Sequence, residues 1–243
     1  MAAEVAELIY EKRIYVDRPW GWDDGDRHFR RDSDLFRTLR QLGSDLKRLG
    51  ISYAVLGGMA IFAHGHRRLT SDLDVLVNTG GLEIIHRDLV TRGYRPVSEG
   101  PRNLRDTERG VKIRFQVSGE PPGGRESKAL TWPEPDEVAE MIHGSRFVNL
   151  PTLITMKLVE GVSDPGRMKD LADVVELMKT LKLSAEFVER LHPLVRDKYT
   201  ELWVGVRDAP VPHWLETWPE VDGPPTDTRA DQPFQEGGRH VER

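Results

Sequence analysis

Leucines recur at positions 35, 39, 42, 46 and 49, a spacing of three and four that puts one apolar side on a helix. Asp32 or Ser33 is placed to cap its start, and Gly50 to end it. Ile51–Leu56 then reads as a buried strand, Gly57-Gly58 as a turn, and Met59–His64 as a short helix. A second strand is expected over Leu73–Val77, with Asp72 and Asp74 at its start. Leu82–Arg92 reads as a helix ending at Gly93. Over Val111–Val117, apolar Val111, Ile113, Phe115 and Val117 alternate with polar Lys112, Arg114 and Gln116, the period of a half-buried strand. Phe147–Leu150 reads as a short strand after a Gly- and Pro-rich loop at 119–135. Pro151-Thr152 opens a helix to Glu160, broken at Gly161. Asp164-Pro165-Gly166 looks like the cap of the next helix, Arg167–Leu181, with Leu171, Val174, Val175, Met178 and Leu181 as its apolar positions. Ser184 caps a further helix to Leu191, and a last segment reaches Trp203.

This order predicts an α/β (α+β) fold: a small mixed sheet with flanking helices, packed on one side, and a helical C-terminal portion closing over the site. Residues 1–32 begin with a short helical pattern at Val5, Leu8 and Ile9, then enter PWGWDDGDRHFRRD, which fits no period and reads as an appendage. The expected divisions are an α/β domain over 33–150, a helical portion over 151–205, and a Pro/Gly-rich charged tail over 206–243 expected to be disordered.

Composition narrows the function. The 243 residues are 38% hydrophobic and 31% charged, with a net charge of −5, so a non-specific polyanion binder is disfavoured. With no cysteine, disulfides, thiolate zinc sites and cysteine nucleophiles are excluded. No apolar run approaches the roughly 18 residues that span a bilayer, and the N-terminus lacks a secretory pattern, so a cytoplasmic location with no membrane partner is expected. The eight histidines offer no helical i, i+4 pair; His64 and His66 flank Gly65 without a convincing third ligand.

Against that background, Asp72-Leu73-Asp74 is unusual. Residues i and i+2 of a strand share a face, with Cα atoms roughly 6.6 Å apart, so the two carboxylates aim together. Two unit negative charges at ~4 Å repel by about 4 kcal/mol at an effective dielectric near 20. A fold that keeps them together usually sets a cation between them. Mg²⁺ suits such a pair, because it binds through one or two carboxylates and substrate phosphate oxygens. Gly57 and Gly58 lack Cβ atoms, so their backbone N–H groups can approach a triphosphate. Arg68, four residues before Asp72, is placed to hold a further phosphate oxygen. Singly, an Asp-x-Asp is commonly a solvated strand end and a Gly-Gly merely a turn. The combination of strand, diglycine, short helix, Arg-x-Thr-x-Asp-x-Asp and apolar strand is far more specific.

Through Leu56, Gly57, Gly58, Arg68, Thr70, Ser71, Asp72 and Asp74 the chain resembles the DNA polymerase beta-like nucleotidyltransferases, nearest to the minimal bacterial branch similar to AbiEii-type toxins. The resemblance covers about residues 33–203, continuing through Leu150-Pro151-Thr152-Leu153, Lys157 and Arg167-Met168-Lys169-Asp170-Leu171-Ala172-Asp173. It implies a Mg²⁺-dependent transfer of a nucleoside monophosphate from an NTP to an acceptor hydroxyl, releasing pyrophosphate. Asp72 and Asp74 would be metal ligands and catalytic. Gly57, Gly58, Arg68, Thr70, Ser71, Lys157, Lys169 and Asp170 would contact the nucleotide. The acceptor stays open between RNA, protein and small molecule, and a toxin paired with an antitoxin is a further reading.

One position departs from the family. A third carboxylate usually sits on the neighbouring strand, but the polar face of Val111–Val117 reads Lys112, Arg114, Gln116. Arg114 aligns with the missing acid. There it would pair bidentately with the aspartates and compete with a metal, leaving a nucleotide-binding protein with weak or no transferase activity. Alternatively, Glu120 reaches in from the strand's end. Lys157 is either a solvated helix position or a triphosphate contact, and Lys169, Asp170 and Asp173 are either a surface ion-pair cluster or part of the site.

Overall fold

The computed structural model describes residues 9–97, 100, 102–122 and 130–208. Three helices lead: α1 (Tyr10–Val16), α2 (Arg18–Phe29) and α3 (Asp34–Arg48). Then come β1 (Tyr53–Leu56), α4 (Gly57–Ala63), β2 (Asp72–Val77), α5 (Thr79–Asp88), β3 (Tyr94–Pro96), β4 (Asn103–Asp106) and β5 (Lys112–Val117). A single turn, α6 (Pro135–Val138), leads into a hairpin of β6 (Ala139–Ile142) and β7 (Ser145–Val148). The chain closes with α7 (Leu150–Ser163), α8 (Met168–Leu181) and α9 (Arg196–Asp208), joined by 3₁₀ turns. The fold is α/β, as expected. The anticipated tail lies, from residue 209 on, outside the described residues.

Seven strands form one mixed sheet in the order β3-β4-β5-β2-β1-β7-β6. β1 and β2 are antiparallel, while β2 and β5, and β1 and β7, run parallel. On β2 and β5 the period-2 alternation buries Leu73, Val75, Val77, Ile113 and Phe115 to 1% exposure or less. Asp72, Asp74, Arg114 and Gln116 take the other face. α3 meets the core through Leu35, Leu39, Leu42 and Leu46, all nearly fully buried. Each such leucine contributes about 1.5–3 kcal/mol. Its cap is Ser33, whose Oγ accepts from Phe36 N–H.

Several elements differ from the pattern-based expectation, each for a physical reason. The diglycine is the first turn of α4 rather than a separate turn. α7 runs through Gly161 instead of breaking there, because the missing side chain admits its neighbour: a Cβ at Gly161 would lie 2.7 Å from the Leu171 side chain of α8. Asn78 starts α5 three residues early, its Oδ1 accepting from Gly81 N–H at 2.7 Å. Residues 185–190 form a 3₁₀ helix rather than an α-helix, and α9 continues past Trp203 to Asp208. β3, β4 and β6, at three or four residues each, are too short to show a strand period.

The aperiodic stretch near the N-terminus is helical and attached to the core. Asp17 accepts from Trp20 N–H, and Pro19 sits in the first turn of α2. Arg27 pairs with Asp23 at 3.0 Å and Asp24 at 2.9 Å. The Tyr10 hydroxyl donates to Asp24 at 2.6 Å, both groups buried. Arg105 of β4 holds Glu11 of α1 through two contacts at 2.8 Å. Beside these polar contacts, Tyr10, Ile14, Trp20 and Phe29 pack against the core, and His28 meets Phe36 and Phe62, without a regular apolar period.

Candidate functional site

A close backbone approach, to which only glycine is suited, lies where α4 meets β2. Gly57 has φ +65°, and a Cβ built on it would fall 2.2 Å from Asp74 Oδ2. A Cβ on Gly58 would fall 2.6 Å from the Thr70 side chain. Any larger residue would displace the carboxylate or the loop entering β2. Thr70 in turn donates its hydroxyl to Asp72 Oδ1 at 3.1 Å. Asp72 and Asp74 share the strand face that alternation assigns them, and both line a cleft of about 710 Å³.

The cation beside them is a guanidinium. Parallel pairing sets Arg114 abreast of Asp74. Arg114 Nε reaches Asp74 Oδ1 at 2.6 Å and Nη2 reaches Asp74 Oδ2 at 2.9 Å. The same Nη2 lies 2.8 Å from Asp72 Oδ2. Against burial, hydrogen bonding and attraction from Asp74, with Asp72 adding to them, raise the Arg114 pKa above its ordinary value. Burial pushes the Asp74 carboxyl above the usual carboxylate range despite those bonds, so its charge depends on Arg114. This geometry does not fit a divalent cation. Three of the four carboxylate oxygens are engaged by Arg114 and the fourth by Thr70, and among the described residues no group of three or more His, Cys, Asp or Glu is placed to hold a metal. Glu120 does not supply the missing acid: both its oxygens are engaged by Arg102 in an exposed ion pair, and it does not line the cleft.

A second ion cluster lies deeper, where α7, α8 and the loop before β2 meet. Lys157 Nζ reaches Asp170 at 2.5 Å and Asp173 at 2.7 Å. Arg68 holds Asp173 at 3.0–3.1 Å, and Arg167 joins Asp170 at 2.6 Å to Glu160 at 2.5 Å. Against the cost of burial, the Arg167 hydrogen bond and the Lys157 charge hold the Asp170 carboxyl below its usual value. Burial raises Glu160, with Arg167 opposing.

The predicted residues therefore fall into two sets that border one cleft. Gly57, Gly58, Thr70, Ser71, Asp72 and Asp74 form one wall. Arg68, Lys157 and Asp170 line it too, but with their charges committed to each other and to Asp173. Lys169 is exposed at the rim and has no ion pair among the described residues. His64 is structural: its Nε2 lies 2.8 Å from the Val148 carbonyl, tying α4 to β7.

Sequence reasoning missed Glu160, Trp132 and the face of α2 that carries Asp24, Gly25 and His28, all of which line the cleft. Glu160 was within reach, three residues after Lys157 on the same helix. The α2 residues had no apolar period to reveal them. Burial pushes the His28 imidazole down to about 4, with the Arg68 backbone and Asp24 opposing, so the ring is neutral near pH 7.

No family model matches the chain, and no curated protein matches it. Among solved structures it is similar to ANT(2'')-Ia in complex with adenylyl-2"-tobramycin, at 17% identity and a TM-score of 0.42, over 65% of this chain and 92% of that one. A solution structure of the antibiotic-resistance factor ANT(2'')-Ia gives 18% and 0.43, over 68% and 93%. An antigenic nucleotidyltransferase-like protein from Paracoccidioides brasiliensis gives 16% and 0.44, over 70% and 91%. These likenesses are distant, and the functional argument rests on the side chains of the cleft.

Proposed function

We propose that the chain binds a nucleoside triphosphate in this cleft, on a nucleotidyltransferase-type scaffold, and that wild-type transfer to an acceptor hydroxyl is weak or absent. The observation that carries this reading is the single guanidinium of Arg114 spanning Asp72 and Asp74 beside the diglycine approach. A cation covalently tethered to the sheet neutralises the pair without leaving coordination positions for a mobile ion. Arg114 meets the aspartates through Nε and Nη2, which leaves Nη1 unengaged by them, and exposed Lys169 at the cleft rim adds positive charge for phosphate.

Calorimetry with NTPs, run beside a radiolabelled NTP-transfer assay, tests this. Wild type is expected to bind an NTP without transfer above background, and Arg114→Asp to gain Mg²⁺-dependent transfer. Failure of wild type to bind any NTP removes the reading.

A second reading keeps Mg²⁺-dependent transfer in the wild type. It is favoured by the 42% exposure of the Arg114 side chain and by Glu160, a third carboxylate whose charge acts on Arg114. Arg114 then leaves the aspartates for Glu160. Wild-type transfer that vanishes in both Asp72→Asn and Asp74→Asn would put this reading first.

A further inference from the structure

A second, small pocket of about 60 Å³ lies between α3, α4 and the β6–β7 turn and shares no lining residue with the cleft. Phe36, Met59, Phe62 and Phe147 floor it, and exposed Arg31 and His143 stand at its rim. Small-molecule sites measure about 300–1,000 Å³. A water needs about 10–15 Å³ of such space, so this pocket holds roughly four water-sized groups, the carbons of one leucine side chain. It is too small for a cofactor and the right size for a single aliphatic anchor of a protein partner.

The rim residues stand where the backbone favours glycine. Arg31 follows the C-cap of α2 with φ +61°, and His143 opens the two-residue turn between β6 and β7 with φ +48°. Glycine or asparagine usually fills both kinds of position. Of the four non-glycine residues with positive φ among the described residues, these two border one pocket. Strain of this kind gathers at working sites. Arg67 lies beside Arg31: its guanidinium sits 5.2 Å from the centre of the Phe29 ring, and its Nη2 donates to the Phe29 carbonyl at 3.3 Å. Burial lowers the Arg31 pKa, and the charge of Arg67 lowers it further. Among the described residues neither arginine has an ion pair, and the neighbouring Asp32 is taken by Arg37 and Arg40. Around Arg114 and Lys157 the chain supplies both signs of charge; here it supplies one.

We propose that this pocket docks an acidic segment of a protein partner, one leucine-sized side chain entering between Phe36, Met59 and Phe62 while flanking carboxylates meet Arg31 and Arg67. Charge complementarity selects the occupant. A lone small carboxylate would answer Arg31 at the rim and leave Arg67, which lies outside the pocket, without a counter-charge. A peptide with an acid on each side of its apolar anchor answers both guanidinium groups. The docking site is independent of the nucleotide cleft.

The test is ¹H–¹⁵N NMR titration of the full chain with three synthetic peptides: acetyl-Glu-Glu-Leu-Glu-Glu-amide, the same peptide with Ser for Leu, and the same with Lys for every Glu. The first should shift the amides of Arg31, His143 and Ser145 and saturate, and the other two should bind at least tenfold more weakly. Arg31→Gly removes the charge and suits the backbone. It should weaken binding of the first peptide at least tenfold while the thermal midpoint stays at or above that of wild type. Ala63→Leu, at a position lining the pocket, should fill it and bring the same loss. Should Ala63→Leu fail to fold, Arg31→Gly decides alone. A lowered midpoint in Arg31→Gly would make Arg31 a structural residue and overturn the proposal. So would a Leu peptide that binds no better than the Ser peptide, or shifts that persist unchanged in both variants. Tighter binding of isovalerate or of an oligouridine RNA at the same amides would also overturn it.

Discussion

The molecule solves the same electrostatic problem twice, at two depths. In each cluster a basic side chain sits between two aspartates, Arg114 between Asp72 and Asp74, Lys157 between Asp170 and Asp173. Around Lys157 the exposures are 10%, 7% and 5%, and each aspartate has a second cation, Arg167 or Arg68. Around Arg114 the cation is 42% exposed and Asp72 26%, although Asp74 is only 9% exposed. The deep cluster spans α7, α8 and the loop before β2, so its bonds join helices to sheet. The shallow one lies within neighbouring strands that backbone pairing already joins, so its charges are not needed to hold the fold. The difference separates an assembly device from a site.

The largest effect should therefore come from the deep cluster. Lys157→Met keeps the apolar stem but leaves Asp170 and Asp173 short of one buried cation. Removing one partner of a buried pair costs about 3–5 kcal/mol. Because Arg167 and Arg68 remain, we expect about 3 kcal/mol, read as a lowered urea midpoint. A loss below about 1 kcal/mol would show that Lys157 is not structural and would return it to the phosphates.

Arg114→Met makes the contrasting change at the shallow cluster. The strands keep their pairing, so the fold should survive. Asp72 and Asp74 then repel each other without a counter-ion, and calorimetry should find Mg²⁺ bound at least tenfold more tightly than in wild type, about 1.4 kcal/mol. Unchanged Mg²⁺ affinity would mean that the guanidinium does not hold a cation's place.

The two clusters should also part on titration. Asp170 is held below the ordinary value of 3.8, while burial lifts Asp74 above it. The signs are opposite. The stabilisation from Asp170 is complete above pH 3.8 and is lost as pH falls through its depressed folded value. Asp74 favours the fold most below 3.8, and that contribution declines as pH rises through its raised value. Carboxyl ¹³C NMR on acidification should show Asp74 protonating before Asp170. The reverse order would erase the distinction between the two clusters.

How much of this could be read from residues alone follows the range of the forces. The leucine helix, the strand that carries Asp72 and Asp74, and Arg114 on the facing strand depend on local period, and the structure has them within a few residues. α2 is opaque because Tyr10 and Asp34 hold it through Asp24, contacts that leave no stripe. β3 and β4 close the sheet with three- and four-residue strands, too short for a period. The fate of Lys157 was equally hidden. A lysine among leucines on a helix looks the same whether its ammonium meets water, phosphate or, as here, two aspartates from the following helix.

The smallest expected effect lies outside both clusters. Glu120 pairs with Arg102 with side-chain exposures of 39% and 47%, a surface contact screened by water and salt. Such pairs are worth about 0–1 kcal/mol. Glu120→Gln should move stability by no more than that. It should also leave NTP binding unchanged, because Glu120 does not line the cleft. A measurable change in nucleotide affinity would mean that Glu120 exchanges Arg102 for the Asp72/Asp74 end in solution. The shallow site would then have an acid within reach to draw Arg114 away, and Arg114 would no longer be its permanent counter-ion.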